Sequence, residues 1–219
     1  MKREKYKLKN ANIFKGYSIN WLKRYLKCDD LHPDEYIYIL NFKQIYMYIN
    51  TKKMADNYLK VKVQRGIDGR LRFMKKGDIV FSVVGKINRI EVLYVDFEPE
   101  EYILYDDTAI VIRDENTTFN SEYLYMMFCR TSITSKLLQQ RNLKKRPNAM
   151  PRLTITMLSD LEIPVPDEAE MKELLGIQHR LKDEEEVLKN RNILYCQALE
   201  KYLDSNKIQL EEILKYLRY

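Results

Sequence analysis

Asp78-Ile79-Val80-Phe81-Ser82-Val83-Val84, directly after Lys76-Gly77, is the stretch whose reading sets the fold. A continuous apolar run of this length, opened by a glycine turn, predicts a buried strand. Residues 90–95 (IEVLYV) follow after a short polar loop, so the two predict a hairpin. Residues 108–113 (TAIVIR) predict another strand. At residues 121–130 the period changes: Tyr123, Leu124, Met127 and Phe128 line one helical face, with Asn120 or Ser121 as cap. A second helix is expected over 133–140. Upstream, residues 36–40 and 44–49 are rich in Tyr, Ile and Met and are read as strands, because Tyr36, Tyr38, Tyr46 and Tyr48 alternate. Such tyrosines suit either packing with a wet hydroxyl or a stacking surface for single-stranded nucleic acid.

Pro164 and Pro166 hold an extended segment and bar a helix, which puts a boundary near Asp167. Beyond it the pattern is helical. Leu174, Leu181, Leu188, Tyr195 and Tyr202 recur every seven residues, and Ile177, Val187, Leu194, Ala198 and Leu199 widen the stripe. Glu184, Glu185 and Arg191 intrude on its flank, so the heptads are imperfect. Asn206 is expected to break the helix before a last one carrying Leu210, Ile213, Leu214 and Leu217. The stripe can pair between chains, or fold back as a helical hairpin on its own domain. The expected class is therefore α+β: a twisted mixed sheet with short helices in residues 1–167, then a long coiled-coil-like arm in residues 168–219.

The 219 residues carry a net charge of +6, unevenly spread. Residues 168–219 hold nine basic and eleven acidic side chains, which leaves 29 basic and 21 acidic in residues 1–167. A basic body attracts polyanions. Two segments concentrate the charge. Residues 60–76 carry seven basic side chains, Arg65, Arg70 and Arg72 among them, against the single acid Asp68. Residues 141–152 carry Arg141, Lys144, Lys145, Arg146 and Arg152 and no acid. Lys86, Asn88 and Arg89 occupy the loop between two strands. Arginines can read guanine and asparagines such as Asn142 and Asn148 can read adenine, while lysines hold phosphate. Each segment alone also fits an ordinary solvated surface.

Catalytic material is sparse. The two histidines, His32 and His179, have no second ligand at metal-binding spacing, and Cys28, Cys129 and Cys196 are scattered. Scattered cysteines point to a reducing cytoplasm. The chain has no nucleophile elbow, phosphate-binding glycine loop or dinucleotide fingerprint. Pro166-Asp167 followed by Glu170 and Lys172 superficially resembles a nuclease motif, but it leads into a helix where converging strands are needed. Glu184–Glu186 suits a solvated helix face. No apolar run approaches a membrane span, and the basic start has no secretory stretch behind it. Neither metal nor cofactor is expected, nor enzymatic activity.

The order of these pieces resembles the specificity subunit of type I restriction–modification systems. The resemblance runs through Tyr6-Lys7-Leu8-Lys9 with Gly16, Met74-Lys75-Lys76-Gly77-Asp78-Ile79-Val80-Phe81-Ser82 with Gly85, residues 109–113, Glu122-Tyr123-Leu124, the segment LTITMLSDLEIPVP at 153–166, and Gln178. It departs from the family pattern where residues 142–152 lack glycine. The resemblance implies one target recognition domain that reads double-stranded DNA, and one helical spacer that binds a DNA methyltransferase subunit. A full-length subunit has two of each, so this chain looks like a half-subunit. Site residues would be Arg65, Arg70, Arg72, Lys86, Asn88, Arg89, Lys144, Lys145, Arg146, Asn148 and Arg152 for DNA. Leu174, Ile177, Leu181, Leu188 and Tyr195 would form the dimer or partner face. A homodimer would present two identical readers to an interrupted palindrome. The alternative is an orphan or decoy module that binds methyltransferase without DNA specificity of its own.

Overall fold

The computed structural model describes residues 5–25, 36–55, 57–62, 71–84, 89–113, 120–129, 131–143 and 150–205. Its contacts divide the chain into two units, Met1–Asp167 and Glu168–Tyr219.

The first unit is built on two sheets. Strands β2 (Asn12–Lys15), β8 (Ala109–Arg113), β5 (Ile79–Ser82) and β6 (Val92–Tyr94) lie side by side in that order, every neighbour antiparallel. Every residue of β5 and β8 is buried. One face, with Phe14, Val80, Ala109 and Val111, packs into the main core. From the other face Phe81 meets Phe128 edge-on, ring centroids 4.8 Å apart. Burial on both faces explains why these strands read as unbroken apolar runs. The expected hairpin partners pair in register, Val80 opposite Leu93.

The second sheet has the order β4 (Leu59–Lys62), β3 (Tyr36–Leu40) and β7 (Tyr102–Tyr105). The β3–β7 pairing is parallel and β3–β4 antiparallel, which makes this sheet mixed. Its period of two divides the core. Leu40, Ile103 and Tyr105 enter the cluster shared with β5 and β8, whereas Ile37, Ile39 and Leu104 meet Leu22 of α1 (Ile19–Tyr25) and Leu71. A two-stranded ribbon joins β1 (Lys5–Lys7) to β9 (Glu162–Pro164), so the extended proline segment is a strand. Between β1 and β2 a single tight helical turn, Leu8–Asn10, buries Leu8.

Residues 44–49 are helical, contrary to the strand expected there: α2 spans Phe42–Thr51. Asn41 Oδ1 accepts the Gln44 amide at 2.9 Å, and Gln44 Oε1 accepts the Asn41 amide at 3.0 Å. That reciprocal cap opens the helix. Ile45 and Tyr48 are buried while Tyr46 and Met47 are exposed, a helical period that overrides the tyrosine alternation. The helix stops at Lys52, whose φ of 55° is left-handed. Glycine usually fills such a position; here the Lys52 ammonium sits 3.3 Å from the Phe97 ring centre and 3.2 Å from Asp96.

The two expected helices after β8 are α3 (Ser121–Phe128) and α4 (Thr131–Leu143). Asn120 caps the first, accepting the Glu122 amide at 2.8 Å, and Tyr123, Leu124, Met127 and Phe128 are its buried face, as read from the sequence. A short α5 (Ile155–Ser159), capped by Thr154, precedes β9.

The described part of the second unit is one helix, α6 (Glu168–Ser205), of 38 residues. At about 1.5 Å per residue it is roughly 57 Å long. Glu168 and Glu170 in its first turn suit the positive end of the helix dipole. The break at Asn206 and the last helix expected from the sequence lie outside the described residues.

Candidate nucleic-acid interface

The geometry of the candidate surface starts from a buried ion pair. Asp78, fully buried, closes the Lys75-Lys76-Gly77 turn by accepting the Lys75 amide at 3.0 Å. Gly77, at φ +88°, supplies the left-handed step that this turn needs. Arg113, at the far end of β8, donates Nε to Asp78 Oδ1 at 2.7 Å and a second nitrogen to Oδ2 at 2.7 Å. The Tyr105 hydroxyl donates to Oδ2 at 2.6 Å. Burial first, then the Asp78 charge, hold the Tyr105 phenol well above its ordinary pKa. Arg113 also donates to the Phe73 carbonyl, which fastens the C-terminal part of the basic segment 60–76. Residues 78 and 113 each lie within a stretch quoted for the family resemblance, yet their pairing has no local sequence signal.

Arg72 lies at this end of the sheet. Its guanidinium donates to Asn12 Oδ1 at 3.2 Å and stands 4.7 Å from the Phe14 ring centre. Arg65 and Arg70 fall outside the described residues.

Arg89 and Arg152 lie at the opposite end, where β5 finishes. Val84 and Arg152 form an antiparallel bridge, and the Leu153 amide donates to the Val83 carbonyl at 2.9 Å. The Ser82 amide donates to the Glu91 carbonyl at 3.1 Å, which holds Arg89 and Glu91 beside the same strand end. Two of the three basic segments therefore meet here, and the third does not. The six residue steps from Asp78 to Val84 separate the two ends by roughly 20 Å. Lys86 and Asn88 belong to the connection between Val84 and Arg89, and Lys144, Lys145, Arg146 and Asn148 to the segment leading to Arg152; all six lie outside the described residues.

The charges at this second end are not all available. Arg89 is exposed but pairs with Glu91 at 2.6 Å. Arg141, counted with the surface cations from sequence, is in fact buried inside α4. Burial lowers its pKa, and the Glu91 charge opposes that shift. Arg152 is exposed. Beside these residues an open groove of about 790 Å³ is lined by Phe42, Lys43, Tyr46, Glu91, Leu93 and Phe128, among others.

On α6, Leu174 is half-buried and Ile177 is exposed; Leu181, Leu188 and Tyr195 are 56%, 56% and 70% exposed. Lys189 pairs with Glu185 one turn earlier at 2.9 Å, so the acidic run is a solvated face. Among the described residues, no three potential metal ligands cluster, and no helix is long and apolar enough to cross a membrane.

The sequence profile of the type I restriction modification DNA specificity domain matches residues 38–195, and the chain belongs to that family. No curated protein matches its sequence. Among solved structures, the HsdS subunit from Thermoanaerobacter tengcongensis superposes with a TM-score of 0.53 at 17% identity, over 83% of this chain and 42% of that one. A chain from a structure addressing complex assembly and conformational transition of the type I R-M system superposes with a TM-score of 0.54 at 15% identity, over 95% of this chain and 50% of that one. This chain thus spans half or less of the length of either. At such identities the likeness concerns the fold, and it bears out the expected α+β class with its long C-terminal helix.

Proposed function

We propose that residues 1–167 are a target recognition domain that reads a short element of double-stranded DNA, and that residues 168–219 are its spacer and docking arm. The observation that carries this reading is the Val84–Arg152 bridge, in a chain of the DNA specificity family. It gathers Arg152 and Arg89 at one end of a rigid sheet, along with the flanks of Lys86, Asn88 and the Lys144–Asn148 cluster. Side chains on connections above a fixed sheet suit base reading, because the strands hold their register while the tips vary. Arg72, at the other end, would extend the grip along the phosphates, and Arg65 and Arg70 of the same basic segment would add to it.

In this reading the chain has no catalysis of its own and acts in the cytoplasm. Leu174, Ile177, Leu181, Leu188 and Tyr195 form the face through which two copies pair and a methyltransferase subunit docks. That subunit brings the cofactor and the chemistry. Two readers related by a two-fold axis require an interrupted palindrome, with the arm setting the spacer. Large apolar side chains left exposed along α6 support an occupant for that face.

The test is selection of duplexes from a randomised pool by the purified chain, alone and with its methyltransferase subunit. An enriched bipartite motif is expected, with affinity falling steeply as salt rises. Enrichment only with the partner would place the readers under the assembly's control. Partner binding with no motif under either condition would favour the decoy reading. Leu181→Asp should convert a dimer to a monomer by sedimentation, with the first unit's fold kept; an unchanged mass would dismiss pairing through this stripe.

A further inference from the structure

Trp21, the chain's single tryptophan, is 44% exposed on α1, next to the fully buried Leu22. Its indole stacks on Tyr17, with centroids 5.6 Å apart and planes 16° from parallel. The Tyr17 hydroxyl accepts the Arg72 amide at 2.9 Å, so the stack is joined to the basic segment itself. One residue on, Phe73 packs against Tyr102 at 5.4 Å, and Tyr102 is 60% exposed. These contacts form a connected run: Trp21, Tyr17, the Arg72 backbone, Phe73 and Tyr102. Tyr17 and Phe73 also pack on the Leu22–Leu71 cluster, so the rings stand on a firm base.

We propose that the Trp21–Tyr17 stack is a contact surface for the DNA itself, with Arg72 as its phosphate-holding neighbour. This rests on the DNA-reading function proposed above. Trp21 is assigned by the structure and by none of the charge patterns in the sequence.

The surroundings favour a polyanion that also carries apolar surface. The Arg72 side chain is exposed and donates to an amide oxygen; among the described residues it makes no ion pair, unlike Arg89 with Glu91. Lys75 and Lys76 follow within four residues and are also exposed. A protein partner would be met better by an apolar face with paired charges. Duplex DNA offers phosphate to the cations and the apolar edges of its sugars to the rings. The stack is preformed, so little side-chain entropy is lost on contact.

The single indole makes the test direct. The full chain is titrated with a 30-base-pair mixed-sequence duplex at low salt. Anisotropy of a label on the DNA reports binding; Trp21 emission and its quenching by acrylamide report the stack. The expected result is a rise in anisotropy together with changed emission and at least a twofold fall in acrylamide quenching. Trp21→Ala should weaken binding roughly tenfold, which corresponds to about 1.4 kcal/mol. Trp21→Phe should restore most of the affinity. Anisotropy that rises while the indole stays equally quenchable would overturn this contact and leave DNA reading intact. No rise at any concentration would remove both. An indole shielded by the methyltransferase subunit alone, or by a single strand and not by the duplex, would also overturn it.

Discussion

The two ends of the four-stranded sheet are held by different forces. At the start of β5 a buried carboxylate, a guanidinium and a phenol lock together, Asp78 with Arg113 and Tyr105. At its finish another buried carboxylate, Asp106, accepts the Thr108 amide at 2.9 Å and the Thr108 hydroxyl, both within its own turn. The backbone bridge of Val84 with Arg152 holds that end, as does the close approach of Gly16 to the carbonyls of Tyr105 and Asp106. A buried pair is all-or-none, because one partner without the other is an uncompensated charge. Backbone pairing tolerates side-chain change. The sheet is thus pinned by a buried ion pair at one end, while the other end presents Arg89 and Arg152.

This difference can be broken from either side. The largest effect is expected from Arg113→Met, which strands Asp78 and should cost about 3–5 kcal/mol in urea unfolding. Asp78→Asn with Arg113→Met together should recover much of that loss; failure to recover would mean the pair does more than neutralise itself. Next comes Gly16→Ala. Its new methyl would collide with backbone carbonyls, and a cost of about 1–3 kcal/mol is expected. A neutral result would show that the second end is looser than its packing implies.

Smaller effects separate the ends by function. Arg152→Ala and Arg72→Ala should each weaken duplex binding by about threefold to tenfold and reduce the salt slope by about one. Arg152→Ala should also relax the selected motif, whereas Arg72→Ala should weaken all sequences alike. The reverse assignment would move base reading to the Asp78 end. Least is expected from Glu91→Gln, which releases Arg89 and should raise affinity by about twofold at low salt only. A loss of affinity would mean that Glu91 orients Arg89 usefully.

Strands buried on both faces were the most legible parts of the sequence, since β5 and β8 need no alternation to be recognised. Helix α3 was equally plain, with its asparagine cap and four-residue face. Helix α2 was misread because Tyr46 and Tyr48 satisfy a period of two, although Asn41 and Gln44 carried the spacing of a capping box. Strands β1, β2, β4 and β7 leave little trace in the sequence: short and partnered across long sequence separations, they carry little pattern of their own. Charge found Arg72, Arg89 and Arg152, but register decided that they stand at opposite ends. Glu91, which offsets Arg89, and the burial of Arg141 depend on packing that composition does not encode. Trp21 gave no signal, being one aromatic residue in a short helix.

The pairing of β1 with β9 has a consequence for exchange. Lys5 lies opposite Pro164, and Lys5 and Lys7 both reach Glu162, at 3.4 Å and 3.8 Å. The first and last strands of the unit are zipped together, so everything between them hangs from one seam. A body attached in this way can be lifted out and grafted into a host through two neighbouring joins, without stretching the host's backbone. Transplantation of the whole reader, as a cassette cut at the ribbon, is therefore built into its topology.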